Sequence, residues 1–275
     1  MRALEAGGVT AAPRRDGACR VDIARLPRVA GAEPASGVAR GVARVTGAER
    51  PLDVDRFAGT VPALASERVI FPLGRALLEE SDAFAEAIAA CDAALLPHTG
   101  WSVTSVLRGD EGEDVPSLDR VDVVQPALFA MGVALAAAWR SLGLEPSAVV
   151  GHSQGEIAAA VVCGALTLAD GAKVVALRSR ELVSLAGRGG MAVVELAASE
   201  VTALLKQDGD GLSVAVVNTP GSTVVSGDAV AIGAFVERMQ SDGVFCRRVE
   251  VDYASHSAQV DPILESLSAS LVDVT

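Results

Sequence analysis

The sequence GHSQG at residues 151–155 places a serine between two glycines, in the pattern G-x-S-x-G. The residues before it, AVV at 148–150, are typical of a buried strand, and the EIAAA that follows is typical of a helix. A serine on such a tight strand-to-helix turn is exposed at the helix N-terminus and can act as a nucleophile. The backbone N–H of Gln154 would then donate to an oxyanion. A simple turn with Ser153 as a helix cap is the alternative interpretation.

A serine nucleophile needs a base, and the sequence offers three histidines. His152 is adjacent to Ser153, and neighbouring side chains on a tight turn point apart. His98 lies in a Pro/Thr/Gly segment, and we interpret it as a solvated loop residue. His256 follows the last strand of a predicted small subdomain, at the junction with a larger one. Ligand sites are common in clefts between subdomains, so His256 is the predicted base, with a structural histidine as the alternative.

Two arginines follow the serine turn on an apolar helix, Arg178 and Arg180. An arginine facing a cleft can bind a carboxylate in a bidentate pair, whereas one on an outer face extends to solvent. Residues two apart on a helix point about 200° apart, so at most one of them faces the cleft. Gln125 precedes Pro126 at the start of another apolar helix, where it is either a cap or a polar contact in the cleft.

The predicted fold class is α/β, a hydrolase-like parallel-sheet subdomain with an inserted ferredoxin-like (βαββαβ) subdomain. The apolar run RVIFP at 68–72 predicts a short buried strand, and helical periods follow it. The order strand, helix, strand, strand, helix, strand between residues 191 and 252 is that of the ferredoxin-like unit. We therefore assign residues 68–190 and 253–275 to the large subdomain and residues 191–252 to the small one.

Residues 1–67 are rich in Ala, Gly, Arg and Pro and have few sustained apolar periods. This composition predicts a linker-like N-terminal segment or a small peripheral element.

Composition excludes several classes of protein. The 23 basic and 35 acidic side chains give a formal net charge of −12, which argues against binding nucleic acid or an anionic membrane surface. The four cysteines are far apart and have no histidine at metal-ligand spacing, so neither a disulfide framework nor a metal site is expected. Without an apolar signal segment or an uncharged stretch of membrane-spanning length, a cytoplasmic protein with reduced thiols is the expectation.

Five motifs in order carry a resemblance to a known family: GHSQGEIAAAVVCGALTL, VVALRSR, GRGGMAVVEL, VAVVNTPGSTVVSGD and VDYASHS. Together they resemble the acyltransferase domains of modular type I polyketide synthases, the malonyl/methylmalonyl-CoA:acyl carrier protein transacylases. The resemblance implies that Ser153 is the acylated nucleophile, with His256 as its base. It implies that Arg178 binds the free carboxylate of the extender unit and that the Gln154 amide is one oxyanion donor.

The same resemblance implies further substrate contacts and a specificity. Gln125 and Asn218 match polar residues that line the family's site. The YASH motif that contains Tyr253 and Ser255 accompanies methylmalonyl selection in this family, where malonyl-selective members tend to have HAFH. The implied substrates are methylmalonyl-CoA or malonyl-CoA, with no bound cofactor and no metal. The implied partners are the phosphopantetheine of an acyl carrier protein and the adjacent ketosynthase or other synthase domains, with no nucleic acid and no membrane.

Two departures from the family pattern give an alternative to catalysis. A glycine- and glutamine-rich turn that supplies the second oxyanion donor in the family is missing between Ile70 and Arg75. The sequence also stops at Thr275, so we expect the C-terminal part of the large subdomain to be incomplete. A truncated, non-catalytic remnant or fragment of an acyltransferase domain is therefore the second hypothesis. A serine hydrolase, which would need an Asp or Glu as third catalytic member, is the third.

Overall fold

Helices and two small sheets make up the computed structural model, which describes residues 8–13, 19–23, 42–45, 67–208 and 211–274. The described helices are α1 (Glu67–Glu80), α2 (Asp82–Thr99), α3 (Val103–Arg108), α4 (Val121–Ser141), α5 (Gly155–Val162), α6 (Leu168–Val183), α7 (Ala198–Asp208), α8 (Ala229–Ser241) and α9 (Asp261–Ser270). The described strands are β1 (Gly8–Pro13), β2 (Cys19–Ile23), β3 (Val42–Val45), β4 (Gly189–Val194), β5 (Leu212–Thr219), β6 (Ser222–Asp228) and β7 (Cys246–Arg248). The predicted α/β class is confirmed.

The first sheet belongs to the N-terminal segment. Its strand order is β2-β1-β3, with β1 antiparallel to β2 and parallel to β3. Strand β3 lies near α5, the helix that follows the serine turn. The rest of residues 1–66 lies outside the described residues, so the interpretation of residues 1–67 as a linker or peripheral element stays a prediction.

The strand expected at residues 68–72 is wrong, because these residues lie inside helix α1. Phe71 and Gly74 are buried and Leu77 and Leu78 are half-buried, a spacing of three to four residues that places them on one helix face. That face packs against α2 and α3. A run of five apolar residues does not distinguish a strand from the first turns of such a helix.

The strand expected at residues 148–150 is also wrong. No described strand pairs with these residues, and the side chain of Val150 is 53% exposed. An extended segment is stabilised as a strand by hydrogen bonds to a neighbouring strand and by burial of its side chains. Residues 148–150 have no described strand partner and are at most half-buried. The helix expected after the turn does form, as α5.

Helices α2, α4 and α6 form the centre of the large subdomain and contact one another pairwise. Phe84, Ile88, Phe129 and Val175 are fully buried among them. Helix α2 begins at the N-cap Ser81, whose hydroxyl accepts a hydrogen bond from the Phe84 amide. In the described ranges, α4 is the single helix with the length and apolar composition of a membrane span, and its buried face packs against α2 and α6.

The second sheet belongs to the small subdomain, which has the predicted βαββαβ order. Its strand order is β5-β6-β4-β7 and every neighbouring pair is antiparallel, which is the ferredoxin-like arrangement. Val194, Val225, Ile232 and Phe235 are buried between this sheet and helices α7 and α8. The carboxylate of Asp228 accepts hydrogen bonds from the first turn of α8 and so fixes where that helix begins.

The start of β4 lies against the segment that returns to the large subdomain. The Gly189 amide is 3.4 Å from the carbonyl oxygen of Asp252, and a Cβ at Gly189 would lie 2.5 Å from the Ala254 nitrogen. Glycine is therefore needed for this close backbone approach. The approach fixes residues 252–256, which carry His256, at the junction between the two subdomains.

Candidate active site

The serine turn has a strained backbone conformation that is maintained by close packing against the first turn of α5. Ser153 has a φ of 53° in the left-handed region, and His256, with a φ of 58°, is the other non-glycine residue of the described chain with a positive φ. A Cβ at Gly151 would lie 2.2 Å from the Cα of Glu156, so the turn closes directly onto the first turn of α5. Strained non-glycine residues of this kind concentrate at functional sites.

The same turn brings the two residues predicted as nucleophile and base together. Ser153 Oγ lies 2.9 Å from Nε2 of His256, although the residues are 103 positions apart. With the Nδ1-protonated tautomer, the hydroxyl donates to Nε2, which is the arrangement in which imidazole can remove the hydroxyl proton. This pair can therefore perform nucleophilic acyl chemistry.

The pKa of His256 is lowered below its ordinary value, first by burial and then by electrostatic interaction with Arg178 and His152. A lowered pKa keeps the imidazole neutral at neutral pH, as a general base requires. No described carboxylate hydrogen-bonds to His256, so the third member that a serine hydrolase would need is absent from the described residues.

A chain of hydrogen bonds joins Arg178, Gln125 and Tyr253 beside this pair. Arg178 Nη1 donates to Gln125 Oε1 at 2.6 Å, and Gln125 Nε2 donates to the Tyr253 hydroxyl at 3.1 Å. Burial lowers the pKa of Arg178, and the same cause raises the pKa of Tyr253. Arg178 is thus a desolvated cation held in a defined orientation, which suits recognition of a carboxylate.

The other predicted site residues differ in how deeply they are buried. Ser255 is buried beside Tyr253. Asn218 is exposed on β5 and makes no hydrogen bond to Ser153 or His256 in the part of the chain that the structure describes, so its role stays a prediction. Arg180 is exposed while Arg178 is half-buried, which agrees with their opposite directions on α6.

The other two histidines, His152 and His98, make no hydrogen bond to Ser153 in the described residues. His152 is exposed on the turn. His98 lies in the last turn of α2 and not in a loop, near the charges of Lys173 and Arg180. Among the described residues, no group of three His, Cys, Asp or Glu side chains is arranged to hold a metal ion.

Comparison with known proteins identifies the family. Residues 72–275 match the family described as acyl transferase domain. This chain belongs to the acyl transferase domain family. It is 54% identical over 203 residues to polyketide synthase GfsE of Streptomyces halstedii. The aligned residues cover 74% of this chain and 5% of that protein. It is 52% identical over 202 residues to erythronolide synthase EryA2 of Saccharopolyspora erythraea, covering 74% of this chain and 6% of that one.

A solved structure agrees with the sequence comparison. The acyltransferase domain from module 8 of the salinomycin polyketide synthase is 50% identical and superposes with a TM-score of 0.68, covering 71% of this chain and 46% of that one. The predicted resemblance to polyketide synthase acyltransferase domains is confirmed. The chain spans about a twentieth of the two curated synthases and about half of the solved domain.

The predicted oxyanion donors are backbone amides of two segments. Gln154 is the N-cap of α5, and its amide donates to no described backbone carbonyl, so it is available for a ligand. The resemblance to polyketide synthase acyltransferase domains implies a glycine-rich turn as the source of the second donor. Here helix α1 passes through residues 70–75, where Pro72 has no amide hydrogen and the amides beyond the first turn donate within the helix.

A half-buried carboxylate next to the serine turn was not predicted from the sequence. Glu156 lies in the first turn of α5, three residues after Ser153, and burial raises its pKa from the ordinary 4.5 to about 7, while Arg178 opposes the shift. An acidic residue in the first turn of a helix normally interacts with the helix dipole, so no local pattern distinguishes Glu156. Its burial beside the serine turn is the feature that distinguishes it.

We expect Glu156→Gln to change how stability depends on pH. A carboxyl whose pKa is raised in the folded state contributes stability that is complete below pH 4.5 and is lost as the pH rises through about 7. We therefore compare the free energy of unfolding of Glu156→Gln with that of wild type at each pH. The difference should favour the variant by about 1 kcal/mol more at pH 8 than at pH 4.5, after allowing for solvent screening. Denaturant unfolding at both pH values measures this, with exposed Glu237→Gln as control. An equal difference at both pH values would contradict the burial argument.

Proposed function

We propose that this domain transfers an extender acyl group, methylmalonyl in preference to malonyl, from CoA to the phosphopantetheine thiol of an acyl carrier protein. The observation that supports this most directly is the 2.9 Å contact between Ser153 Oγ and His256 Nε2. The charge of Arg178 contributes to the lowered pKa of His256, after burial, and this supports Arg178 as the residue that binds the carboxylate of the acyl group.

The proposed reaction has two steps on one serine. Ser153 Oγ attacks the thioester carbonyl while His256 Nε2 takes the hydroxyl proton, and the Gln154 amide donates to the oxyanion. The carbon–sulfur bond breaks, and the CoA thiol leaves with the proton returned by His256. The phosphopantetheine thiol then attacks the acyl-serine ester with the same base, and Ser153 Oγ recovers its proton.

Substrate selection is assigned to residues around the acyl group. Arg178 binds the free carboxylate of the extender, and Gln125 and Asn218 are the further polar residues of the proposed site. Tyr253 and Ser255, in the position where HAFH members carry a bulkier pair, leave room for the α-methyl group. One methyl group is worth about 1–3 kcal/mol in such a pocket, so the preference for methylmalonyl over malonyl is expected to be incomplete.

The proposed setting is a cytoplasmic polyketide synthase. The similarity to such synthases supports an acyl carrier protein as acceptor and an adjacent ketosynthase or other synthase domain as neighbour. The extender is supplied as methylmalonyl-CoA or malonyl-CoA, and neither a metal nor a separate cofactor takes part in the proposed steps.

Intact-protein mass spectrometry after brief incubation with each acyl-CoA tests this proposal. A stoichiometric adduct with methylmalonyl-CoA is expected, formed roughly 10–100 times faster than the malonyl adduct. Addition of a carrier protein bearing phosphopantetheine should then move the acyl group to that protein faster than water removes it. No adduct on the folded chain would favour the non-catalytic remnant, and loss to water at a rate independent of the carrier would favour a serine hydrolase.

A further inference from the structure

The side-chain amide of Gln125 has both of its ends engaged by protein groups. Its oxygen accepts from Arg178 at 2.6 Å, and its nitrogen donates to the Tyr253 hydroxyl at 3.1 Å. Gln125 lies on α4 with 7% of its surface exposed, Arg178 lies on α6, and Tyr253 lies in the segment that returns from the small subdomain with 8% exposed. One buried amide therefore connects three separate elements of the site.

The direction of this hydrogen-bond chain is fixed by chemistry. A guanidinium is a donor only, so the amide oxygen must face Arg178 and the amide nitrogen must face Tyr253. The phenol oxygen accepts from that nitrogen, which anchors the far end of the amide. Because Nη1 of Arg178 donates to Gln125, rotation of the guanidinium is restricted, and its other N–H groups make no hydrogen bond within the described residues.

We propose that Gln125 is a positioning residue and that the Tyr253 hydroxyl acts, through Gln125, on the recognition of the extender's carboxylate. This inference rests on the proposed function, and it assigns Tyr253 a second role. As a space-filling residue, Tyr253 distinguishes methylmalonyl from malonyl. As the anchor of the Gln125 amide, it distinguishes acyl groups with a free carboxylate from those without one.

Tyr253→Phe separates the two roles because it removes the hydroxyl and keeps the ring. Acylation of Ser153 is measured with methylmalonyl-CoA, malonyl-CoA and propionyl-CoA, which lacks the carboxylate. The ratio of methylmalonyl to propionyl acylation should fall about tenfold, as expected for loss of one hydrogen bond linked to a charged group, mainly through KM. The ratio of methylmalonyl to malonyl should change less than twofold.

Gln125→Leu tests the middle of the chain. It should lower the methylmalonyl to propionyl ratio at least as much as Tyr253→Phe, and the double variant should be no worse than Gln125→Leu alone, because both break one chain. Gln240→Leu is the control, since Gln240 also donates from its side-chain amide, to the Cys246 carbonyl in the small subdomain. A Tyr253→Phe variant that changes only the methylmalonyl to malonyl ratio, or that slows all three substrates equally, would overturn the inference.

A stability measurement decides the inference independently of acyl transfer. In a double-mutant cycle, Tyr253→Phe and Arg178→Met should have non-additive effects on the unfolding free energy although neither side chain hydrogen-bonds the other. The non-additivity should vanish in a Gln125→Leu background. If wild type forms no adduct with any thioester, the proposed function fails, and this cycle still supports or overturns the role of Gln125. Additive effects of Tyr253→Phe and Arg178→Met in the chain that retains Gln125 would overturn the inference.

Discussion

Ser153→Ala is expected to abolish acylation of this chain. Removing the Oγ removes the atom that lies 2.9 Å from His256 Nε2, and the alanine side chain has no group that can form the ester. Loss of a serine nucleophile of this kind lowers turnover by roughly 10⁴–10⁶ in comparable sites. Intact mass after incubation with methylmalonyl-CoA should show the unmodified chain, while wild type shows the adduct.

Two comparisons control for unfolding of the variant and for a general effect of changing the turn. Ser153→Ala retains the Cβ at the φ of 53°, so its thermal unfolding should match that of wild type. His152→Ala alters the exposed neighbour on the same turn and should still be acylated. A full adduct on the Ser153→Ala variant would place acylation on another residue and contradict the assigned nucleophile.

Gly151→Ala is expected to be the most destabilising small substitution in the turn. The added Cβ would lie 2.2 Å from Cα and 2.3 Å from N of Glu156, which are backbone atoms that cannot move without opening the first turn of α5. Overpacking and backbone strain of this severity cost about 3 kcal/mol or more. Chemical denaturation should show the loss, and any folded fraction should have a displaced Ser153 and slow acylation.

Gly155→Ala is the matched control on the other side of the serine. Nothing lies within 4 Å of a Cβ at Gly155, and the residue is the first of helix α5. Alanine has the better helix propensity there, so the variant should be unchanged or more stable by about 0.5–1 kcal/mol. Similar losses for the two glycines would show that the turn does not close onto Glu156 as described. The G-x-S-x-G pattern thus needs its first glycine for steric reasons that do not apply to the second.

Local sequence patterns correctly predicted the elements whose apolar periodicity extends over many residues or whose order along the chain is typical of a known unit. The βαββαβ order of residues 191–252 was confirmed, because each strand and helix there carries its own period and turn signal. Helix α5 after the serine turn was predicted for the same reason. The strands at 68–72 and 148–150 were wrong, since a short apolar run becomes a strand only when another strand hydrogen-bonds to it.

The sequence alone determined which residues could perform chemistry. The spacing of GHSQG and the position of His256 after the last strand of the small subdomain identified the pair that the structure places 2.9 Å apart. Motif order identified the family, which the match over residues 72–275 confirmed. These signals depend on residue type and order along the chain, so they can be read without coordinates.

Only the tertiary structure decided how those residues are held and charged. Gln125 and Tyr253 are 128 positions apart, and no local pattern indicates that one amide connects Tyr253 to Arg178. The raised pKa of Glu156 and the lowered pKa of His256 likewise arise from burial by segments distant in the chain. Desolvation and hydrogen-bond direction depend on which side chains surround a group in space, and the sequence states only which residues precede and follow it.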